Sequence, residues 1–353
     1  MSIIKINNTP IRTSKNFKIN NAKLENLNLP EIINSFNNVT INKTDNVLVE
    51  RSSNQFELSY GLGNVFLNQV KEKANQNIKL IINGEKNEEI QLNYKFDNNN
   101  INLINNVEII ADEKTKSNII IKYESDESTS CFHNGVIRIT AKENSNVSII
   151  ILNYLNSNSN NFISFQNDIE KNAKLNYTIV DFGGINSITN YYSNIKGEKA
   201  ENNINTIYLG KDDQYLDLNY IGELYGEKSN INIEVIGALK DNSKKHFKGT
   251  IDFKKGSKKA KGNENEYCML LSDKAKSIAL PMLLCSEEDV EGNHSSSAGK
   301  IGEKELFYIM SRGFNLKDAM KLMVRAKFNK ILDKLDNEEI KNEVIQEIEK
   351  RLD

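Results

Sequence analysis

A short pattern repeats along this chain at nearly constant spacing. Lys116-Ser117-Asn118-Ile119 is echoed by Asn144-Ser145-Asn146-Val147, by Asn172-Ala173-Lys174-Leu175 and by Lys228-Ser229-Asn230-Ile231, with a weaker copy at Lys199-Ala200-Glu201. The small residue of each copy stands at 117, 145, 173, 200 and 229, a period of about 28 residues. Each copy is a polar turn entering an alternating apolar strand, and two strand-like runs fit within one period. One such unit cannot bury its apolar face alone, but coils stacked on one another can, each laying its strands beside those of the coil before. About seven or eight coils fit between residues 80 and 292, a rod of roughly 35 Å at about 4.8 Å per strand. An array of immunoglobulin-like sandwiches is the competing all-β arrangement, but it needs turns every 8 to 12 residues or so with Greek-key irregularity.

Strand-like runs at 107–110, 119–123, 136–140, 147–152, 175–180 and 282–284 agree with the coil reading, and no long helical pattern interrupts them. Before them, Val65, Phe66, Leu67, Val70 and Ala74 predict a short helix leading into a strand at 78–82 and the Asn83-Gly84 turn. Residues 1–60 show only short apolar clusters, such as Leu24, Leu27, Leu29 and Ile32 near Pro30, then Val47-Leu48-Val49. From Gly299 the period becomes helical. Leu306, Phe307, Ile309 and Met310 lie between Gly302 and a C′ Gly313. A second helix has Asn315 as N-cap with Asp318 three residues on, and a third starts at an Asp336/Glu339 capping box, with Ile340, Val344, Ile348 and Leu352 at i, i+4 spacing. The expected organisation is a mixed N-terminal segment (1–79), a parallel β-helix (80–298) and a three-helix C-terminal region (299–353). Solenoids need end caps, so the plainest role for the helices is to shield the last coil.

Asn makes up about one residue in six, while Trp is absent and Pro occurs 3 times. Turns and stacked Asn ladders accept such a composition; base-composition drift, raising Ile and Lys together with Asn, is the simpler account. With 46 Lys+Arg against 48 Asp+Glu and a net charge of -2, no global field recruits nucleic acid or an anionic membrane. The three cysteines, 131, 268 and 285, give no disulfide framework and no CxxC spacing, which favours a reducing compartment. The first residues lack an apolar signal region, and the longest apolar stretch, 278–285, is broken by Pro281. A cytoplasmic protein is expected.

Catalytic signatures are missing: no phosphate-binding glycine loop, no HExxH, no GxSxG, and 3 histidines in all. Glu287, Glu288, Asp289 and Glu291 could imitate the paired carboxylates of polysaccharide-cleaving β-helices, although a solvated acidic turn is the simpler account. The basic run at 254–259 reads as a solvated turn as well. Cys268 and Cys285 sit on apolar strands and are expected to be buried small hydrophobes. Cys131 and His133 supply two metal ligands at most. His294, in the polar run 292–299, reads as a loop histidine able to bind metal or carry a proton.

The stretch 283–332 adds a resemblance. Glu287-Glu288-Asp289-Val290-Glu291-Gly292-Asn293-His294, Ala298-Gly299-Lys300-Ile301, Glu305-Leu306-Phe307-Tyr308 and Ser311-Arg312-Gly313 resemble the C-terminal signature of the SufB/SufD family of iron-sulfur cluster assembly proteins. His246-Phe247-Lys248-Gly249-Thr250-Ile251, Gly262-Asn263-Glu264, and Leu270-Leu271-Ser272-Asp273-Lys274-Ala275 with Pro281 also look like that family's pattern. The resemblance covers about residues 190–335 well and the N-terminal half weakly.

It implies a right-handed parallel β-helix with a helical C-terminal domain. It further implies a non-catalytic subunit that pairs with a SufB-like partner as a heterodimer and docks the ABC-type ATPase SufC through its C-terminal helices. His294 followed by Ser295 and Ser296 looks like SufD, where SufB carries a Glu-His-Glu-Ala pattern. The resemblance therefore implies that His294 faces the SufB cysteine where a nascent cluster forms, and makes it the candidate metal ligand. No cofactor is expected to stay tightly bound to the isolated chain, only a transient Fe-S cluster at the complex interface. SufB's functional cysteine falls on Glu266, so that role is not carried to Cys268. Gly292 stands where SufD usually has cysteine, and the N-terminal helical region is reduced.

Phe307, Met310, Met320 and Met323 are the expected ATPase-docking face. A SufB-like primary scaffold and a carbohydrate-active β-helix enzyme are the alternatives.

Overall fold

The computed structural model describes residues 3–12, 18–43, 47–85 and 89–353. The N-terminal segment holds β1 (Ile3–Ile6), β2 (Ala22–Glu25), β3 (Val39–Asn42), β4 (Val47–Glu50) and helix α1 (Asn64–Lys73). The solenoid then runs through β5 (Gln76–Ile82), β6 (Ile90–Phe96), β7 (Asn102–Ala111), β8 (Lys116–Ser125), β9 (Phe132–Ala141), β10 (Asn146–Tyr154), β11 (Asn160–Ile169) and β12 (Lys174–Asp181). It continues through β13 (Asn186–Ile195), β14 (Glu201–Gly210), β15 (Tyr215–Leu224), β16 (Asn230–Leu239), β17 (Lys244–Phe253), β18 (Lys261–Leu270), β19 (Lys276–Cys285) and β20 (Glu291–Lys300). Three helices follow: α2 (Glu303–Ser311), α3 (Leu316–Leu332) and α4 (Glu338–Leu352).

Each coil gives one strand to each of two sheets. The even strands form one sheet, ordered β20-β18-β16-β14-β12-β10-β8-β6-β3, and the odd strands the other, ordered β19-β17-β15-β13-β11-β9-β7-β5-β4. All solenoid strands pair in parallel, while β3 and β4 close the first coil antiparallel. Such ladders exclude the sandwich array. The register advances by as little as 26 residues, at Asn160↔Asn186, and as much as 32, at Lys244↔Lys276.

The repeat marks a corner. Asn144, Asn172, Lys199, Lys228 and Lys259 take positive φ between 53° and 61°, turning the chain before the buried small residues Ser145, Ala173, Ala200, Ser229 and Ala260. The corners also stack, since the amide of each turning residue donates to the coil above, as Asn172 does to Glu198 and Lys199 to Glu227, both at 2.9 Å. The sequence pattern misplaces its first copy: Asn146 pairs with Lys116, so Thr115, after left-handed Lys114, is the true equivalent of Ser145. The error is two residues, which keeps every side chain on its proper face.

Asparagine content has a structural use. Asn176, Asn203, Asn232, Asn263 and Asn293 share one outward row of the even sheet, and from Asn203 onward each side-chain amide donates to the side-chain oxygen of the Asn below at 2.9 to 3.1 Å.

Three apolar layers result. Inward-facing rows fill the lumen, from Ile90 and Leu103 to Phe253 and Cys268. The N-terminal segment and α1 lie on the outside of the odd sheet, where Ile6, Leu24, Phe66 and Val70 meet Ile104, Phe132, Phe162 and Ile188. Helices α3 and α4 lie along the outside of the even sheet: Val324, Phe328, Ile331, Val344 and Ile348 cover Leu152, Val180, Ile207, Ile236 and Met269. The expectation that the helices cap the last coil is thus wrong, because their apolar stripe finds its match on the side of the rod. The cap of α4 also differs, with Asn337, not Asp336, accepting the Ile340 amide at 2.9 Å.

Candidate functional site: the open end of the solenoid

The polar run 292–299 is not a loop. It is β20, paired with β18 over its whole length from Lys261↔Glu291 to Leu270↔Lys300. Its composition hides the strand because apolar inward residues are needed only where a further coil covers them, and none among the described residues does. Gly292, His294, Ser296 and Ala298 occupy the inward rows, yet all four are exposed. On the facing strand β19, Ser277, Ala279, Pro281 and Leu283 are only half-buried. Cys285, expected to be buried, is exposed there for the same reason; its thiol donates to the Glu287 carbonyl at 2.8 Å.

One coil down, the lumen is sealed and unusually polar. Lys245 and Glu266 form an ion pair of 2.6 Å with both side chains 0% exposed. The ammonium lies 5.7 Å from the Tyr208 ring and 5.8 Å from the Phe247 ring, and Glu266 also accepts from Tyr208 at 3.3 Å and from Ser296 at 2.8 Å. The Ser296 bond ties the open strand to the sealed coil. Cys268 is buried as expected, and burial pushes its thiol up. Glu264 is buried with no hydrogen-bond partner for either carboxylate oxygen among the described residues. Burial, then the neighbouring charge of Glu266, pushes its carboxyl up to about 8.

Glu264, within the Gly262-Asn263-Glu264 motif, and Glu266, at the position of SufB's cysteine, are not marked as buried charges in the sequence reading, and neither is Lys245. A signal exists: Lys245 shares the inward phase with Phe247, Ile251 and Phe253, and the two glutamates share it with Cys268 and Leu270. A charge in the apolar phase of a strand marks a buried charge.

The remaining candidates separate. His133 is buried between Asn161, 2.6 Å from Nδ1, and Asn105, 3.0 Å from Nε2; burial pulls its imidazole down to about 4. It belongs to the lumen core. Glu287 is exposed and accepts the Gly256 amide at 2.9 Å. A second buried pair, Asp217 with Lys248 at 2.6 Å, lies on the outer face of the odd sheet, where Asn7 donates to Asp217 and accepts from Lys248. Burial pushes the Asp217 carboxyl up, but Lys248 and His246 outweigh it and hold it below the usual carboxylate range. This cluster fastens the N-terminal segment to the sheet.

The helical face divides in two. Phe307 is 74% exposed and Met310 40%, joined by exposed Tyr308, Phe314, Leu316 and Leu322. Met320 and Met323 are half-buried along α3. No helix among the described residues is long and apolar enough to cross a membrane.

The family model described as SUF system FeS cluster assembly, SufBD core domain, matches residues 94–327. The iron-sulfur cluster assembly protein SufD of Bacillus subtilis is 23% identical over 265 residues, 74% of this chain and 61% of that protein. An iron-sulfur cluster assembly SufBD family protein of Pyrococcus horikoshii is 34% identical over 161 residues, 45% of this chain and 35% of that protein. SufD of Plasmodium berghei is 26% identical over 301 residues, 81% of this chain and 21% of that protein. The chain thus spans about three fifths of the bacterial SufD and less of the other two.

Proposed function

Since the chain belongs to the SufBD family of iron-sulfur cluster assembly proteins and is most like SufD, we propose that it is a non-catalytic subunit of a Suf assembly complex. In this reading a SufB-like subunit covers the open end of the solenoid as a heterodimer partner, and a SufC-type ABC ATPase docks on α2 and the start of α3. The nascent cluster is cargo formed at the shared interface and passed on, with His294 presented to it. The cytoplasm is the proposed compartment.

One observation carries the pairing: the inward rows of β19 and β20 lie open. In every coil below, those rows are buried by the coil above, so the last coil is a lumen cross-section awaiting a cover. The exposed group of Phe307, Tyr308, Met310, Phe314 and Leu316 supports a second contact, because clustered aromatic and Met side chains suit a protein interface. The SufB-like scaffold reading is weaker, since Glu266, held by Lys245, stands where that subunit's cysteine would.

Co-expression with SufB and SufC from the same genome tests the assignment by size-exclusion chromatography with iron and sulfide analysis. Joint elution with cluster, lost in His294→Ala, is the expected result. Elution of the chain alone would keep the fold and family but refute the role.

A further inference from the structure

A cavity of about 680 Å³ opens between the N-terminal segment and the outer face of the odd sheet, bounded by β2 and the residues after it on one side and by the first residues of β13, β15 and β17 on the other. Small-molecule sites typically measure about 300–1,000 Å³. The outward row that buries Phe162 and Ile188 under the N-terminal segment continues as Asp217 and His246, so the apolar layer stops where the cavity opens. Its floor is firmly held. Tyr215 donates to Asp217 Oδ2 at 3.0 Å and lies 3.0 Å from His246 Nδ1, with its ring edge-on to the imidazole at 5.2 Å. Asp217 is fixed in turn by Lys248 and Asn7, and all three are 0% exposed. With Nδ1 engaged, Nε2 is the ring nitrogen left to a ligand, and His246 is half-buried in the cavity lining.

The mouth is basic. Lys18, Lys23 and Lys244 line the same cavity, all exposed and none ion-paired with a carboxylate among the described residues. The acids of the lining are Glu25 and Asp213, and Asp213 already accepts from Asn242 at 3.1 Å. Three ammonium groups against two carboxylates leave the cavity positive before His246 is counted. We propose that this cavity binds a small molecule through a phosphate monoester group, with His246 Nε2 and the ammonium groups of Lys23 and Lys244 holding the phosphate. Lysines are compact charges on long stems that suit a tetrahedral dianion, whereas a planar carboxylate is held best by an arginine fork, and no arginine lines the cavity. Phosphate beside Nε2 and Asp217 beside Nδ1 both favour the imidazolium, which donates from both nitrogens. Leu27, Ile185 and the Tyr215 ring supply an apolar wall for the organic part of the ligand. The site lies on the opposite sheet from α3 and α4, and its occupancy does not depend on the assembly role.

The full chain is titrated with phenyl phosphate, following the imidazole proton signals of His133, His246 and His294, with phenol and benzoate as controls. Wild type is expected to bind one equivalent and to shift the His246 signals alone, with no saturable binding of phenol or benzoate over the same range. The double variant Lys23→Gln/Lys244→Gln, at exposed positions that spare the fold, should weaken binding about tenfold or more, and His246→Gln should do the same. Should His246→Gln loosen the N-terminal segment, the lysine double variant decides alone. Unchanged affinity in the double variant, a shift centred on His294, no saturation at millimolar phenyl phosphate, or benzoate bound as tightly as phenyl phosphate would each overturn the proposal. Because no partner is present, these outcomes are independent of co-purification with SufB and SufC, whose failure would strike the assembly role alone.

Discussion

Glu264 and His294 stand in register on adjacent parallel strands, the first sealed inside the lumen and the second open to solvent above it. The step from one to the other is the point where stacking stops. It converts a buried row into a presented one without any change in backbone pairing.

His294→Ala is expected to leave stability within about 0.5 kcal/mol, as for most exposed side chains, while iron and sulfide in the purified complex fall. Thermal unfolding together with metal analysis checks both halves. Full cluster content in the variant would remove His294 from the mechanism.

Charge placed on α2 should separate docking from folding. Phe307→Asp and Met310→Asp fall on exposed positions and should abolish ATPase binding in a pull-down with little change in melting temperature. The same change at Met320 or Met323, both half-buried, should lower the melting temperature as well. Undisturbed binding in the α2 variants would place the ATPase elsewhere.

The Lys245–Glu266 pair should show strong coupling. Lys245→Met leaves a buried carboxylate uncompensated and is expected to cost about 3–5 kcal/mol. The double variant with Glu266→Leu should recover most of that loss, since well-packed apolar replacements of buried pairs are often close to neutral. Urea unfolding of the four-member cycle measures the coupling, and simple additivity would contradict the buried geometry.

His133 should contribute to acid lability. Burial holds its folded pKa near 4, below the unfolded value of about 6.5. Above about pH 6.5 both states are neutral and nothing is lost; as pH falls from about 6.5 to 4, the unfolded chain takes up a proton that the folded chain refuses, and stability declines by up to roughly 3 kcal/mol. His133→Gln should start less stable, through lost packing against Tyr123, but show a shallower decline over that window. An equal slope in both proteins would exclude His133 as the source.

Much of the architecture was legible because a solenoid is a local code. The corner needs a left-handed residue and then a small buried one, so the repeat appears directly in the sequence, and the strand at 78–82 and helix at 64–74 appear as β5 and α1. The first copy was misphased by two residues because Ser117 and Thr115 are both small and both buried, and only the ladder distinguishes them. The helices were legible as amphipathic units, but their docking surface was not. A clue lay in continuous apolar runs such as Ile149-Ile150-Ile151-Leu152 in β10 and Ile207-Tyr208-Leu209 in β14, which suit strands covered on two sides.

His294 itself could be named from its surroundings in sequence, but neither β20 nor Glu264 could. A strand of Gly, Asn, His and Ser has no apolar phase to reveal it, and it exists because β18 supplies its hydrogen bonds. Glu264 looks like any polar residue until the sheets close over it. The sequence by itself determined the coil, its period and the family, since these depend on spacing and side-chain type within about thirty residues. Only the tertiary structure decided which coil is left uncovered, which charges are buried and where the helices lie. Burial is a property of what stacks against a residue, and that neighbour lies a full coil or more away along the chain.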